Sequence, residues 1–159
     1  MSAPSPGSRP AGLRGFGREG LAAILGAFPK IRVAVLGDFF LDKYLDVDPA
    51  LAELSLETGK IAHQVVATRH SPGAAGTVVC NLAALGAGAL GAGALRAIGF
   101  CGDDGEGYEL RADLAALGCD ARALHQDLGR CTPTYMKPRD RDDPSLAGEV
   151  HESAHQISL

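Results

Sequence analysis

The chain has 159 residues, 46% of them hydrophobic and 21% charged, with a formal net charge of -4. That is enough for one domain around a single core. It argues against a nucleic-acid surface, which needs a basic stripe, and no apolar run approaches the ~20 residues of a membrane span. Aromatic residues make up 5%, Trp is absent and Gly numbers 21, a profile suited to an Ala/Gly-rich α/β protein with tight helix–sheet packing. The cysteines, Cys80, Cys101, Cys119 and Cys131, form no C-x-x-C pair. Buried free thiols in a reducing cytoplasm are therefore expected, in place of a zinc knuckle or redox motif.

Residues 1–17 open with MSAPSPGSRPAG, rich in Pro, Ser and Gly and without an apolar h-region. They read as a disordered leader, not a signal peptide. Arg18 to Phe28 has helical apolar spacing, ended by Pro29-Lys30. Ile31 to Leu36 (IRVAVL) is a β-branched run stopped by Gly37-Asp38, the pattern of a buried parallel strand. Asp46 to Thr58 is ambiguous, with Pro49 opening a possible short helix. Ile61 to Thr68 reads as a strand, and His70-Ser71-Pro72-Gly73 as a turn. Ala75 to Leu85 is apolar all round and predicts a buried helix; Ala94 to Phe100 predicts the next buried strand. Asp103 or Asp104 caps a helix through Glu106 to Leu117, with Gly118 as its stop. Ala121 to Leu124 and Cys131 to Lys137 are short strand candidates. The mixed-sign run KPRDRDD (Lys137 to Asp143) reads as a solvated loop. Strands alternating with helices predict a doubly wound α/β layer.

Two short motifs invite functional readings. Gly86, Gly88 and Gly91 spell G-x-G-x-x-G within LGAGALGAGALRAIGF, the spacing of a dinucleotide-binding oxidoreductase. The helix precedes these glycines and the strand follows, the reverse of a phosphate-binding turn. A tandem GAGAL, Gly86 to Leu90 and Gly91 to Leu95, generates the spacing by itself, so a lengthened helix-to-strand turn is the simpler reading. HESAH, His151 to His155, matches the zinc-protease pattern H-E-x-x-H. It lies in a polar tail with no third ligand after it, and reads as tail.

Three further segments follow one another: VLGDFFLDKY (Val35 to Tyr44), SPGAAGTVVCNLAALGA (Ser71 to Ala87) and AIGFCGDDGEGYELRADLAALGCD (Ala97 to Asp120). Together, over roughly Ile31 to Lys137, they resemble the N-terminal half of the ribokinase-like (PfkB-type) carbohydrate kinases. The branch containing heptose kinases, with its G-D-x-x-L-D, is the most similar. The resemblance implies a three-layer α/β fold, a parallel sheet flanked by helices with a small β lid, incomplete here at about half of the family domain. The kinase part would run over 18–137 and a divergent polar tail over 138–159.

It implies ATP-dependent phosphoryl transfer to a hydroxyl of a sugar-like small molecule, with ATP and Mg2+ as cofactors of the complete enzyme. Asp42 matches the Asp that hydrogen-bonds substrate hydroxyls; a turn or cap residue is its plain alternative. The family's Gly-Gly pair falls on Gly73-Ala74, and its first Asn on Thr77, which keeps a hydroxyl but loses an amide. Asn81 fits the second Asn, as a substrate contact or as a structural amide. Asp103-Asp104 is expected to cap, not to bind metal. Leu45 to Thr68 would supply the lid, with His63 or Gln64 facing substrate or simply lying on an edge strand.

The family's N-x-x-E and D-T-x-G-A-G-D motifs, which place magnesium, anion hole and catalytic base, do not occur in this sequence. The expectation is a substrate-binding half with no catalytic residue of its own, inactive alone, from a truncated or split kinase. A non-catalytic α/β module is the alternative, pairing as a homodimer through the lid or an open sheet edge.

Overall fold

The computed structural model describes residues 17–89 and 94–142. The order is α1 (Arg18–Ala27), a 3-10 turn (Phe28–Lys30), β1 (Val33–Leu36), β2 (Phe39–Leu54), β3 (Ile61–Ala74), α2 (Ala75–Ala84), β4 (Leu95–Gly102), α3 (Gly105–Ala116), β5 (Cys119–Asp127) and β6 (Thr134–Asp140). The predicted leader, the second GAGAL glycines and HESAH lie outside the described residues.

Two three-stranded sheets result. The first has the order β1-β4-β5 and is parallel throughout. Its strands send alternate residues into one apolar cluster. Leu95, Ala97 and Cys101 of β4 and Leu124 of β5 meet Val79 of α2 and Leu110 and Leu114 of α3. Leu95, Leu110 and Leu114 are fully buried, each worth about 1.5–3 kcal/mol over exposure. Asp104 caps α3 as predicted, its carboxylate accepting from Gly107 N–H at 2.7 Å. The helix stops before Gly118, at φ +73.

The second sheet, the lid, has the order β3-β2-β6, with β2 antiparallel to β3 and parallel to β6. It is rooted in the core by Phe39 and Leu41, both buried.

Several expectations are corrected. The short helix at Pro49 is instead the outer part of β2. Pro49 sits where pairing skips from Asp48↔Gln64 to Glu53↔Ala62, an irregularity that tolerates proline. His70-Ser71-Pro72-Gly73 is strand, paired with Lys43, Asp42, Leu41 and Phe40. β3 is an edge strand, where the missing proline N–H costs no ladder bond. Lys137 to Asp140 is not a loop: it is β6, laid beside β2, and it continues past Lys137. α2 is buried on one side only, at Gly76 and Val79, while Val78 is 48% exposed. Cys101 and Cys119 are buried, but Cys131 is exposed. The expected helix-flanked parallel sheet is present, and among the described residues α2 and α3 lie on the same face of it, since β1→β4 and β4→β5 step the same way and same-handed crossovers share a side.

Candidate functional site

β2 alternates. Phe39 and Leu41 point into the core, so Phe40, Asp42, Tyr44 and Asp46 share the opposite face. Beside Asp42, Tyr44 and Asp46 the parallel β6 places Tyr135, Lys137 and Arg139. On the other side β3 places Gly73, Ser71 and Arg69 against Phe40, Asp42 and Tyr44.

Lys137 Nζ donates to Asp42 Oδ1 at 2.6 Å. That hydrogen bond holds the ammonium above its ordinary range, against burial. Asp42 Oδ2 lies over Gly73, where an added Cβ would stand 2.7 Å from it. A side chain at position 73 would force the Asp42 carboxylate to shift. Tyr44 is ringed by cations: Lys137 Nζ at 5.2 Å and the Arg69 and Arg139 guanidiniums at 5.7 Å from its centroid. Arg69 grips Asp46 through two hydrogen bonds of 2.8 and 3.1 Å. That grip holds the Asp46 carboxyl below its usual range.

At the foot of this face lies a cavity of about 260 Å³, lined among others by Asp38, Phe40, Phe100, Arg130 and Cys131. It opens beyond the carboxyl ends of β1 and β4, where open α/β sheets take their ligands. Arg130 lies over the Phe100 ring at 5.6 Å. Phe40 packs on Tyr135 at 5.5 Å and so joins the cavity to the Asp42 face.

The other side of the lid base is clamped to α3. Lys43 Nζ lies 2.8 Å from Glu109 Oε2 and 3.4 Å from Glu106 Oε1, and His70 Nδ1 lies 2.7 Å from Asp113 Oδ2. The hydrogen bond to Glu109 raises the Lys43 pKa, although burial opposes it.

The structure brings Asp42 and Gly73 into contact and gives no contact of Asp42 with the other predicted residues among those described. Ala74 is exposed, with φ +50 and ψ -117, a backbone that glycine adopts freely and alanine only under strain. Thr77 is exposed on the first turn of α2, its hydroxyl donating to Pro72 O at 3.4 Å. Asn81 is exposed further along α2. Gln64 is engaged far out on the hairpin, donating to Glu53 at 2.8 Å, and His63 is exposed beside it.

Asp104 is fully committed to structure. Besides Gly107 N–H it accepts from Thr132 N–H and Thr132 Oγ1–H, each at 2.7 Å. Burial works against its ionised form, but these hydrogen bonds win and its pKa is lowered. Asp103 accepts from Gln126 at 3.2 Å. Among the described residues no group of three His, Cys, Asp or Glu side chains gathers to hold a metal ion. Gly86 and Gly88, at φ +93 and +98, form a turn after the C-terminus of α2, so the described part of the glycine fingerprint has no helix N-terminus for a pyrophosphate.

Lys137, Tyr44, Arg69, Tyr135 and Arg130 escape the sequence reading. One signal was present: cations at 137, 139 and 141 repeat with period two, and Asp42, Tyr44, Asp46 and Asp48 fall on the same alternation in β2.

No family model matches the chain. Over 105 residues it is 36% identical to bifunctional protein HldE of Desulfatibacillum aliphaticivorans, a match covering 66% of this chain and 20% of HldE. Solved structures similar to it include a ribokinase from Cryptococcus neoformans var. grubii in complex with ADP (17% identity, 76% of this chain and 34% of that chain, TM-score 0.48). A PfkB protein from Polaromonas sp. JS666 is 23% identical over 77% of this chain and 36% of that one, with TM-score 0.45. A carbohydrate kinase from Agrobacterium tumefaciens is 19% identical over 76% and 34%, with TM-score 0.47. The chain thus spans a fifth of its curated relative. With G-D-x-x-L-D at the β1–β2 junction, the Ser71 to Ala87 segment running from β3 through α2, and GDD capping α3, the chain is similar to part of a ribokinase-like (PfkB-type) carbohydrate kinase domain.

Proposed function

We propose that the chain is the substrate-holding part of an ATP-dependent sugar-type kinase and binds a polyol at the foot of the lid. The observation that carries this reading is Asp42. Its carboxylate is fixed on one oxygen by Lys137 and lies over a glycine, on the face that Phe40 links to the cavity. A carboxylate so held accepts from two vicinal hydroxyls at once. Phosphoryl transfer depends almost wholly on positioning and electrostatics. A chain without the family's base and anion-hole motifs therefore binds without turning over.

Calorimetry against a panel of pentoses, hexoses and heptoses tests this directly. At least one is expected to bind, and Asp42→Asn to weaken it by about tenfold or more, or about 1.4 kcal/mol, with an unchanged circular dichroism spectrum. Absence of binding across the panel, or indifference to Asp42→Asn, overturns the assignment. ATP turnover by the purified chain would overturn its inactivity.

A further inference from the structure

Burial does little to place β6. Its two faces are mixed, with Thr134, Met136 and Pro138 on one and Tyr135, Lys137 and Arg139 on the other, so the apolar pattern specifies register only weakly. Yet register decides the site. Leu41 stands beside Thr134, Asp42 beside Tyr135 and Tyr44 beside Lys137. A slip of one residue would turn Lys137 to the face of Lys43, away from Asp42.

The segment before the strand is fixed far more tightly. Leu128 to Pro133, between β5 and β6, form no strand, but Thr132 is buried with each of its polar groups engaged. Its N–H and its hydroxyl donate to the two Asp104 oxygens, each at 2.7 Å. The hydroxyl also accepts from Gly102 N–H at 2.9 Å, and the Thr132 carbonyl accepts from Thr134 Oγ1–H at 3.0 Å. Packing leaves little slack: a Cβ added at Gly102 would stand 2.5 Å from Arg130 O and 2.7 Å from Thr132 N. This junction lies one residue from the lid. Pro133 O accepts from Leu41 N–H at 2.9 Å, next to Asp42. The same segment gives Arg130, Cys131 and Pro133 to the cavity wall.

We propose that Asp104 and Thr132 are positioning residues for the Asp42 site. Anchored where β4 ends and α3 begins, they set the register of β6 on β2 and so deliver Lys137 to Asp42. The link to ligand binding rests on the sugar-site reading above; the register does not, and is measured without a ligand.

Nuclear magnetic resonance of the isotope-labelled full chain tests the proposal. The readouts are the cross-strand contacts Leu41–Thr134 and Tyr44–Lys137 and the exchange rate of the Leu41 amide. Thr132→Val removes the hydroxyl at nearly constant shape and keeps the N–H. It should abolish both contacts and speed Leu41 exchange by about tenfold or more, with the β4–β5 contacts kept. Thr132→Ser, which retains the hydroxyl, should match the parent chain. Lys137→Met removes the ion pair and should leave the register unchanged. Parental register in Thr132→Val, or lost register in Lys137→Met, would overturn the proposal. So would loss of the β4–β5 contacts together with those of β6 in Thr132→Val, the sign of a merely structural role. For a sugar that binds, Thr132→Val should weaken affinity by about tenfold or more and Thr132→Ser should not; full affinity in a chain whose register is lost would also overturn it. If no sugar binds, the sugar reading fails and the register result still decides this one.

Discussion

Each strand of the parallel sheet feeds the core along its length, whereas the lid sheet sends in only the root of β2, at Phe39 and Leu41. Beyond that root the lid is held by charge. Lys43 and His70 clamp its base to α3, and Lys137, Arg69 and Arg141 reach Asp42, Asp46 and Asp48. Apolar burial is non-directional and tolerates only small rearrangement. Ion pairs at partly exposed positions contribute little stability each, about 0–1 kcal/mol, but fix orientation. The comparison explains how a weakly anchored sheet can still present Asp42 in one place: the core supplies stability, and the lid supplies geometry.

The largest expected effect lies on the core side. Leu110→Ala removes a fully buried side chain and should cost about 2–5 kcal/mol, read as a lower urea midpoint. If the two regions share one root, exchange protection of β4 and of the β2 root falls together; independent loss would break the comparison.

A smaller effect separates them by pH. Asp104 joins α3 to Thr132, two residues before β6 begins. Its pKa is lowered on folding from the ordinary 3.8. Its contribution is therefore present above that value and lost as pH falls through the lower folded pKa. As pH falls below the ordinary 3.8 the urea midpoint should drop, and Asp104→Asn should start lower, by about 1–2 kcal/mol, with a flatter slope. An unchanged slope would show that other carboxylates govern acid unfolding.

The smallest change is a gain. Ala74 joins β3 of the lid to α2, at φ +50. Ala74→Gly should stabilise by up to about 1 kcal/mol, the relief of strain exceeding the added flexibility of the unfolded chain. Thermal unfolding measures it, and a loss of stability would mean that the alanine is unstrained.

The parallel sheet was largely legible in the sequence, because its signals are local. IRVAVL before Gly37-Asp38, the Asp104 cap and the Gly118 stop each lie within a few residues of what they specify. The lid was not, because its strands are specified across the chain. Pro49, Pro72 and Pro138 mimic turns locally, and are tolerated at a bulge or on the edge strands β3 and β6. KPRDRDD resembles a solvated loop until Asp42 and Asp46 are set beside it. For the site, Asp42 and Gly73 came from the resemblance, and the structure adds that Gly73 lies under the Asp42 carboxylate. Lys137 was hidden because its partner is 95 residues away.

That separation carries a consequence for how the chain acquires its shape. β2 and β3 form a hairpin early, from neighbouring sequence, but β6 reaches β2 only after the whole of α2, β4, α3 and β5 has been made. Closing so long a loop is slow, because its entropy is lost before its contacts form. The Lys137 that fixes Asp42 is thus among the last described residues to arrive on the ribosome. A nascent chain released before β6 emerges would own its core and still have no fixed carboxylate to offer a ligand.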